Sequence, residues 1–489
     1  MKRELFIKRS RIDAPVEEVF QWHARPGALE RLTPPWNPVR VLHRNGGIQD
    51  GGTAALKLSI GPIPVTWKAA HFDYHENRMF RDRQVQGPFS HWVHTHRFEP
   101  DGTDACILED HLEYALPGGP VGHFLGRANV RQMLEAAFDY RHAVTAMDLA
   151  DHLGRRDRSP LTVALTGASG VVGTCLIPFL TTGGHRVIRL VRGKPEKNSL
   201  DVAWDPAAGR LDADALAGVD VMVHLAGENI GEGRWTAEKK RRIIESRTRG
   251  TGLIARTAAR MDPPPKVLIC ASAIGYYGDR CEETLCETDS CGADFISEVC
   301  DAWESAAQPA IDQGIRVVFL RIGIALSPLG GALARLLPLF RVGLGGKIGS
   351  GDQYMSWVGM DDVVGTIYHA IDSPELSGPV NVTAPHPVTN REFTRTLGAV
   401  LGRPTPFTVP EAAIMLAFGE MGREVPLSST RVDAGKLLAS GYRFRHPDLE
   451  GALRYLLGRK VRPIPSTPHT EAATGSAESM PDSHIRSHR

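Results

Sequence analysis

The N-terminal region alternates apolar and polar residues with a period of two, which is typical of strands that bury one face. The segments with this pattern are Leu5–Ile12, Thr53–Ile60, Val65–Phe72, Arg78–Val85, Ser90–Phe98 and Ala105–Tyr114. A short helix is predicted over Val16–His23 and a long one over Pro120–His152. We therefore expect residues 1–152 to form an α+β domain, in which a curved antiparallel sheet grips one long helix and leaves an apolar cavity between them.

From Leu161 onward the pattern changes, because apolar strands alternate with helical segments. After the strand that begins near Leu161, strands are predicted over Val187–Val191, Val219–Ala226, Lys266–Ala271, Val317–Leu326 and Val380–Ala384. Alternation of this kind predicts an α/β domain with a doubly wound parallel sheet. We assign residues 153–160 to a charged linker, 161–402 to the sheet domain and 403–460 to a small C-terminal substrate subdomain. The tail 461–489 has no aromatic residue and is expected to be disordered.

Three glycines at fixed spacing follow the first strand of the second domain and open a helix predicted over Val171–Thr181. Gly167 permits a tight turn, Gly170 lets the backbone approach a pyrophosphate, and Gly173 lets the helix pack closely on the sheet. The helix N-terminus would face the phosphates. The motif predicts a Rossmann-type dinucleotide site whose residues are Gly167, Ala168, Ser169, Gly170, Val171, Val172 and Gly173.

The end of the second strand indicates which dinucleotide is bound. Enzymes that use NAD usually place an acid there to bind the ribose, whereas this strand ends in Val191-Arg192. An arginine can bind a 2′-phosphate with two N–H donors and a full charge, so NADP is favoured over NAD. A solvated arginine is the alternative.

The next strand ends in small residues, Leu225-Ala226-Gly227, which let the backbone lie close to a flat adenine or ribose. The helix that follows carries Arg242 and Arg247. Five positions separate them, so they do not share one helical stripe, and we expect Arg247 to be the one that points inward.

Composition limits the classes of partner and the cellular compartment that we expect for the protein. A net charge of +1 gives no electrostatic reason to expect nucleic acid, and the apolar region Val317–Phe340 is broken by prolines and arginines, so no membrane span is expected. Seven cysteines, an odd number, argue against a complete disulfide framework. We expect a cytoplasmic protein that binds a small-molecule substrate or an apolar ligand, and the sequence leaves open whether it forms a homodimer.

The N-terminal region resembles the polyketide cyclase-like, START-related (SRPBCC) superfamily in Ile12–Phe20, His94–Pro100 and Asp110–Tyr114. The resemblance implies a helix-grip fold. Period-two geometry places Trp92, His94 and His96 on one strand face. A paired-histidine metal or acid–base site is one interpretation, but we favour a polar cross-strand ladder and predict no metal site.

The second domain resembles the extended short-chain dehydrogenase/reductases, and more narrowly the atypical NAD-dependent epimerase/dehydratase-like "epimerase family" with its C-terminal module. The matching motifs are Thr166–Gly173, Leu225–Asn229, Ser246–Thr251, Ala273–Gly278, Trp303-Glu304, Arg321–Leu326, Gly343–Gly351, Met355–Val363 and Gly441–Glu450. The resemblance implies NADP contacts at the glycine loop and at Val191, Arg192, Leu225, Ala226, Arg242, Arg247 and Leu326.

The superfamily's catalytic Tyr-x-x-x-Lys pair is missing from the chain. Phe295 stands at the expected tyrosine position and Val299 at the lysine position. Ser272, Tyr276 and Tyr277 remain as candidate hydroxyls near the nicotinamide, with strand-end packing as their alternative role. We expect an NADP-dependent oxidoreductase or epimerase; the alternative is a non-enzymatic NADP-binding sensor or carrier of a hydrophobic ligand.

Overall fold

The structure is a computed structural model that describes residues 2–61, 63–197 and 199–460. The tail that we expect to be disordered lies outside the described residues. Within them, no helix is long and apolar enough to cross a membrane.

The N-terminal part is a seven-stranded antiparallel sheet with a long helix against it. Its elements are β1 (Glu4–Ile12), α1 (Val16–Ala24), α2 (Ala28–Arg31), β2 (Arg40–Asn45), β3 (Thr53–Ile60), β4 (Ile63–His75), β5 (Met79–Gln86), β6 (His91–Pro100), β7 (Cys106–Ala115) and α3 (Gly119–Leu153). The strand order is β1-β7-β6-β5-β4-β3-β2. The period-two pattern predicted every strand except β2, most of whose residues are exposed.

The long helix α3 covers one face of this sheet. Near the middle of α3, Phe138 packs on Phe6 of β1 with 5.1 Å between the ring centroids, and closer to the C-terminal end of the helix Leu149 joins the core that contains Phe20. The layer between these two contacts is polar. It contains what we call the histidine–aspartate cluster, whose members are Asp82 on β5, His94 and His96 on β6, Asp110 on β7 and His142 on α3. The expectation of an apolar lining is therefore wrong for this layer.

The second part is built on an eight-stranded sheet in the order β11-β10-β9-β8-β12-β13-β15-β20, parallel except for the β10–β11 pair. The elements of its first half are β8 (Thr162–Thr166), α4 (Val171–Thr182), β9 (Arg186–Val191), β10 (Val202–Asp205), β11 (Arg210–Leu211), β12 (Val221–His224), α5 (Ala237–Ala258), β13 (Val267–Ala273), β14 (Thr284–Leu285), α6 (Phe295–Ser305), α7 (Gln308–Asp312) and β15 (Arg316–Ile322).

The second half completes the sheet and adds a small C-terminal region. Its elements are β16 (Ile324–Leu326), α8 (Gly331–Arg341), β17 (Gly346–Ile348), β18 (Tyr354–Met355), β19 (Trp357–Gly359), α9 (Met360–Asp372), β20 (Gly378–Val382), β21 (Val388–Thr389), α10 (Asn390–Leu401), β22 (Phe407–Val409), α11 (Glu411–Phe418), α12 (Glu420–Glu424), β23 (Arg431–Val432), α13 (Gly435–Ala439) and α14 (Leu449–Leu456). The strand predicted over Val317–Leu326 is split at Gly323, where an added Cβ would lie 2.4 Å from the backbone oxygen of Ser356.

The two parts share buried contacts. Arg31 of α2 donates to Asp148 of α3 and also to Asp361 of α9, with nitrogen–oxygen distances of 2.6–2.9 Å. Arg445 approaches the same Asp148 at 3.1 Å, and Tyr140 of α3 packs against Tyr455 of α14. The N-terminal helices are thus joined to the second sheet domain by a buried ion cluster and an aromatic contact.

Candidate functional site

The glycine loop lies where the strand order of the parallel sheet reverses. β8 pairs with β9 on one side and with β12 on the other, so the chain connections leave β8 in opposite directions. In open α/β sheets the crevice outside the carboxyl ends of such strands is the usual ligand site. The loop between β8 and α4 opens into this crevice.

A different structural constraint favours glycine at each of the three positions of the loop. Gly167 has φ +72°, a left-handed conformation that disfavours side chains, and an added Cβ would lie 2.8 Å from the carbonyl carbon of Leu225. At Gly173 an added Cβ would lie 2.3 Å from the oxygen of Gly167. At Gly170 it would meet only that same oxygen, at 3.2 Å, and otherwise open space. The backbone at Gly170 is therefore bare on the side of the crevice.

The first turn of α4 has no side-chain cap. Its N-cap residue is Gly170, which offers no oxygen to the orphan N–H groups, and Ser169 beside it is exposed. Unpaired N–H groups and the positive end of the helix dipole make such a terminus a good site for a phosphate. Together with the bare backbone, these features fit the pyrophosphate of a dinucleotide.

A threonine–histidine contact holds the neighbouring strand ends in place. Thr166 Oγ1 accepts the backbone N–H groups of Leu225 and Ala226 at 3.1 and 3.2 Å, and it lies 2.7 Å from Nδ1 of His224. Burial lowers the pKa of His224 to about 4, so its ring is neutral at physiological pH. This contact, which the sequence analysis missed, fixes Leu225, Ala226 and the exposed Gly227 beside the glycine loop.

The two arginines of α5 differ in burial, although both approach Glu228. Arg247 is buried, donates to the backbone oxygens of Glu228 and Ile243, and lies over the Trp303 ring at 4.7 Å. It supports the loop from beneath, since an added Cβ at Gly227 would lie 3.3 Å from its guanidinium carbon. Arg242 is half-exposed and pairs with Glu238.

Arg192 follows directly after β9 and is exposed. It has no ion-pair partner among the residues that the structure describes, whereas Arg189, on the same strand, is paired with Asp201 at 2.6 Å. The exposed guanidinium at the carboxyl end of β9 is thus available to a ligand. Val191 is half-buried beside it, and Leu326 is fully buried on β16.

The candidate catalytic hydroxyls differ in accessibility. Ser272 is buried at the end of β13 and donates to Glu304 at 2.7 Å. Tyr277 is fully buried, donates to Asn381 at 2.7 Å and accepts from Arg321 at 3.1 Å. Burial raises the pKa of Tyr277 to about 12. These two hydroxyls are therefore already bonded inside the protein.

Tyr276 is half-buried, and Arg321 covers one face of its ring, with the guanidinium carbon 3.4 Å from the centroid. Burial raises the pKa of Tyr276 above its ordinary value, and the positive charge of Arg321 opposes that rise. Both oxygens of Glu304 hold the guanidinium, at 2.9 Å each. In the sequence, Glu304 and Arg321 belong to two separate family motifs, and nothing there indicates that the two side chains form an ion pair.

The positions of the missing Tyr-x-x-x-Lys pair are occupied by packing residues. Phe295 begins α6 and packs edge-on against Trp235, and Lys240 lies over its ring at 4.5 Å. Val299 is buried in the same cluster. No hydroxyl or amine replaces the pair at these positions.

Comparisons with known proteins agree with this architecture. The sequence profile of the NAD dependent epimerase/dehydratase family matches residues 163–383, that of polyketide cyclase / dehydrase and lipid transport matches 12–138, and a domain of unknown function, DUF1731, matches 409–456. The epimerase family protein Mb2239 of Mycobacterium bovis is 43% identical over 297 residues, which are 61% of this chain and 98% of that protein. The chain belongs to the epimerase family.

Two solved structures extend the comparison. The nucleoside-diphosphate sugar epimerase from Corynebacterium glutamicum is 35% identical, covers 93% of this chain and 90% of its own, and superimposes with a TM-score of 0.77. Human epimerase family protein SDR39U1, solved with NADPH, is 33% identical over 61% of this chain and 99% of its own, with a TM-score of 0.56. The resemblance of the second domain to the extended short-chain dehydrogenases, and of the N-terminal part to the polyketide cyclase group, is confirmed.

Proposed function

We propose that this epimerase-family protein is an NADP(H)-dependent oxidoreductase or epimerase that acts on a small molecule through an atypical site. The observation that carries the proposal is the uncapped N-terminus of α4 beside the bare backbone of Gly170. It is supported by the NADPH found in the human relative. The N-terminal part, with its sheet packed on α3, we assign to the helix-grip class.

The residues that would hold the cofactor are those of the glycine loop and the two neighbouring strand ends. The N–H groups at the start of α4 would bind the pyrophosphate, and Leu225 and Ala226 would lie against the adenosine. Arg192 would bind the 2′-phosphate, because it is exposed and lacks a described ion-pair partner. NADP(H), when bound, supplies hydride exchange, and the protein supplies position and proton transfer.

Of the three candidate hydroxyls, we propose Tyr276 as the one that contacts the substrate. Ser272 and Tyr277 are buried and bonded to other side chains, so we propose them as positioning residues. They act on Tyr276 through the Glu304–Arg321 pair. At neutral pH Tyr276 is a phenol and can donate a proton; as a base it would work only at alkaline pH, where its raised pKa allows ionisation.

Calorimetry of the full chain with NADPH and NADH tests the cofactor assignment. We expect NADPH to bind with a dissociation constant at least about tenfold lower than that of NADH. Incubation with NADPH and a pool of carbonyl metabolites, including nucleotide sugars, would then detect the reaction: a reductase lowers the NADPH absorbance, whereas an epimerase leaves it unchanged and is detected by the new stereoisomer among the products. Tight binding without turnover of any candidate would favour the sensor or carrier function, and no binding at all would overturn the proposal.

A further inference from the structure

The histidine–aspartate cluster lies in the N-terminal part, outside the cofactor site. His94 is the cross-strand neighbour of Asp82, and His96 is the cross-strand neighbour of Asp110. His142 reaches Asp110 from α3, with 2.8 Å between Nε2 and the carboxylate oxygen. The five side chains are 4–15% exposed, so two carboxylates and three imidazoles share a nearly dry layer.

The charge of this layer has to be balanced. Among the described residues neither Asp82 nor Asp110 forms an ion pair with a lysine or arginine; their partners are all histidines. The nearby Arg141 donates instead to the backbone oxygen of Leu32 and lies over Phe138. The charge of Arg141 also interacts with both carboxylates, but it forms no ion pair with either. Because buried carboxylates are costly without a close counter-charge, we expect imidazole protons or a bound cation to supply the rest.

Two of the ring nitrogens are spaced like metal ligands. His94 Nδ1 lies 3.3 Å and His96 Nε2 lies 3.6 Å from the same oxygen of Asp82. Neither contact has the geometry of a hydrogen bond, and one ligand atom from each of the three residues lies within 4.8 Å of the others. Donor atoms bonded to one ion at about 2.0–2.2 Å in a tetrahedral site are about 3.4 Å apart.

The opposite ring nitrogens meet the second carboxylate. His94 Nε2 bonds to Asp110 at 3.0 Å, and His96 Nδ1 lies 2.8 Å from the same oxygen, although its N–H is poorly aligned with it. Histidines that bind metals usually present their other N–H group to a carboxylate, which fixes the tautomer and makes the ligand more basic. Asp110 stands where such a carboxylate would stand for both rings.

We propose that Asp82, His94 and His96 form a binding site for one divalent transition-metal cation, with Asp110 as the carboxylate that orients both histidines. Mixed imidazole and carboxylate donors suit Zn²⁺, Co²⁺ or Fe²⁺, whereas Mg²⁺ and Ca²⁺ prefer oxygen ligands. Three protein ligands leave at least one coordination position free, as in catalytic sites. The polar ladder that the sequence favoured would thus be a metal site. It depends on Asp82 and Asp110, which lie on the two strands on either side of β6.

The competing explanation is a cluster balanced by protons alone. Burial would lower the pKa of His94, but its hydrogen bond to Asp110 and the negative charges of Asp110 and Asp82 raise it to about 9, so a doubly protonated ring would pair with both carboxylates. Metal-binding measurements distinguish the two explanations.

The test uses the full chain, stripped with a chelator and titrated with Zn²⁺ and Co²⁺ by calorimetry. We expect one equivalent to bind with a dissociation constant of about 1 μM or lower, and no binding of Mg²⁺. His96→Asn and Asp82→Asn should weaken Zn²⁺ binding by at least about 100-fold, and Asp110→Asn by about 10–100-fold. His111→Asn is the matched control, since His111 lies on β7 next to Asp110 and points to the other face.

The absorption spectrum of the Co²⁺-loaded wild-type protein keeps the test decisive if a variant fails to fold. We expect bands of a nitrogen- and oxygen-liganded ion without a thiolate charge-transfer band. A thiolate band would place the metal at cysteines and overturn the proposal. Absence of stoichiometric binding, or equal loss in His111→Asn and His96→Asn, would overturn it as well and leave the proton-balanced cluster.

Discussion

The glycine loop and the histidine–aspartate cluster are two sites of one chain that differ in how their residues are distributed along the sequence. The loop is formed by consecutive residues from Gly167 to Gly173, and its function follows from backbone shape. The cluster takes Asp82, His94 and Asp110 from three different strands and His142 from a helix far along the chain. Backbone-shaped sites leave a complete local signature, whereas a site assembled across strands shows only the residues that share one strand, here His94 and His96.

The largest expected effect comes from the buried ion cluster that joins the N-terminal part to the second domain. Arg31→Met removes a buried guanidinium that contacts both Asp148 and Asp361, and we expect a loss of about 3–5 kcal/mol in the free energy of unfolding. Arg44→Met removes a more exposed arginine paired with Glu30 and should cost no more than about 0.5 kcal/mol. Urea denaturation followed by circular dichroism measures both.

Equal costs for Arg31→Met and Arg44→Met would mean that the buried ion cluster does not hold the molecule together. Two well-separated unfolding transitions in the wild type would show that the two regions fold independently. The glycine loop and the histidine–aspartate cluster would then belong to two independently folding modules and not to one folded unit.

Two adjacent tyrosines allow a similar comparison within one short segment, between an accessible side chain and a buried one. Tyr276 and Tyr277 look equivalent in the sequence, but only Tyr276 retains access to solvent. Once a substrate is known, Tyr276→Phe should lower kcat by about 100-fold, the usual scale of proton transfer by a positioned group. Tyr277→Phe should lower kcat by only about three- to tenfold, because it acts on Tyr276 through Arg321, and should also cost about 1 kcal/mol of stability through its lost hydrogen bonds.

The pH profile adds an independent readout for Tyr276. In the reaction direction that needs the phenolate, kcat should rise with pH toward the raised pKa of Tyr276, because the ionised fraction increases there. Tyr276→Phe should remove this rise while Tyr277→Phe retains it. Losses below about threefold in both variants would assign both hydroxyls to packing.

Arg192 gives the smallest expected effect and tests the locally encoded site. Arg192→Ala should reduce the preference for NADPH over NADH by about tenfold, because the 2′-phosphate loses a charged donor. Arg186→Ala removes the same charge from the amino end of the same strand and should leave the preference unchanged. If both variants bind the two cofactors like the wild type, the 2′-phosphate is recognised elsewhere.

Local patterns predicted most of the fold and the glycine loop. They missed β2, which is largely exposed and therefore lacks a buried face, and they did not show that Gly323 divides one apolar run into two strands. Helical geometry showed only that Arg242 and Arg247 do not share one stripe; Arg247, which we expected to point inward, is the buried one. The contact between Glu304 and Arg321 could not be predicted, because it joins residues on different elements whose approach depends on the completed sheet.

The most direct test takes one variant of each site and measures its affinity for both ligands. Gly170→Val, whose side chain would fill the space for the pyrophosphate, and His96→Asn are each titrated with NADPH and with Zn²⁺, using the full chain and calorimetry. We predict that Gly170→Val loses at least about 100-fold in NADPH affinity and binds Zn²⁺ normally, and that His96→Asn does the reverse. Unchanged NADPH affinity in a folded Gly170→Val variant would contradict the assignment of the glycine loop as the cofactor site.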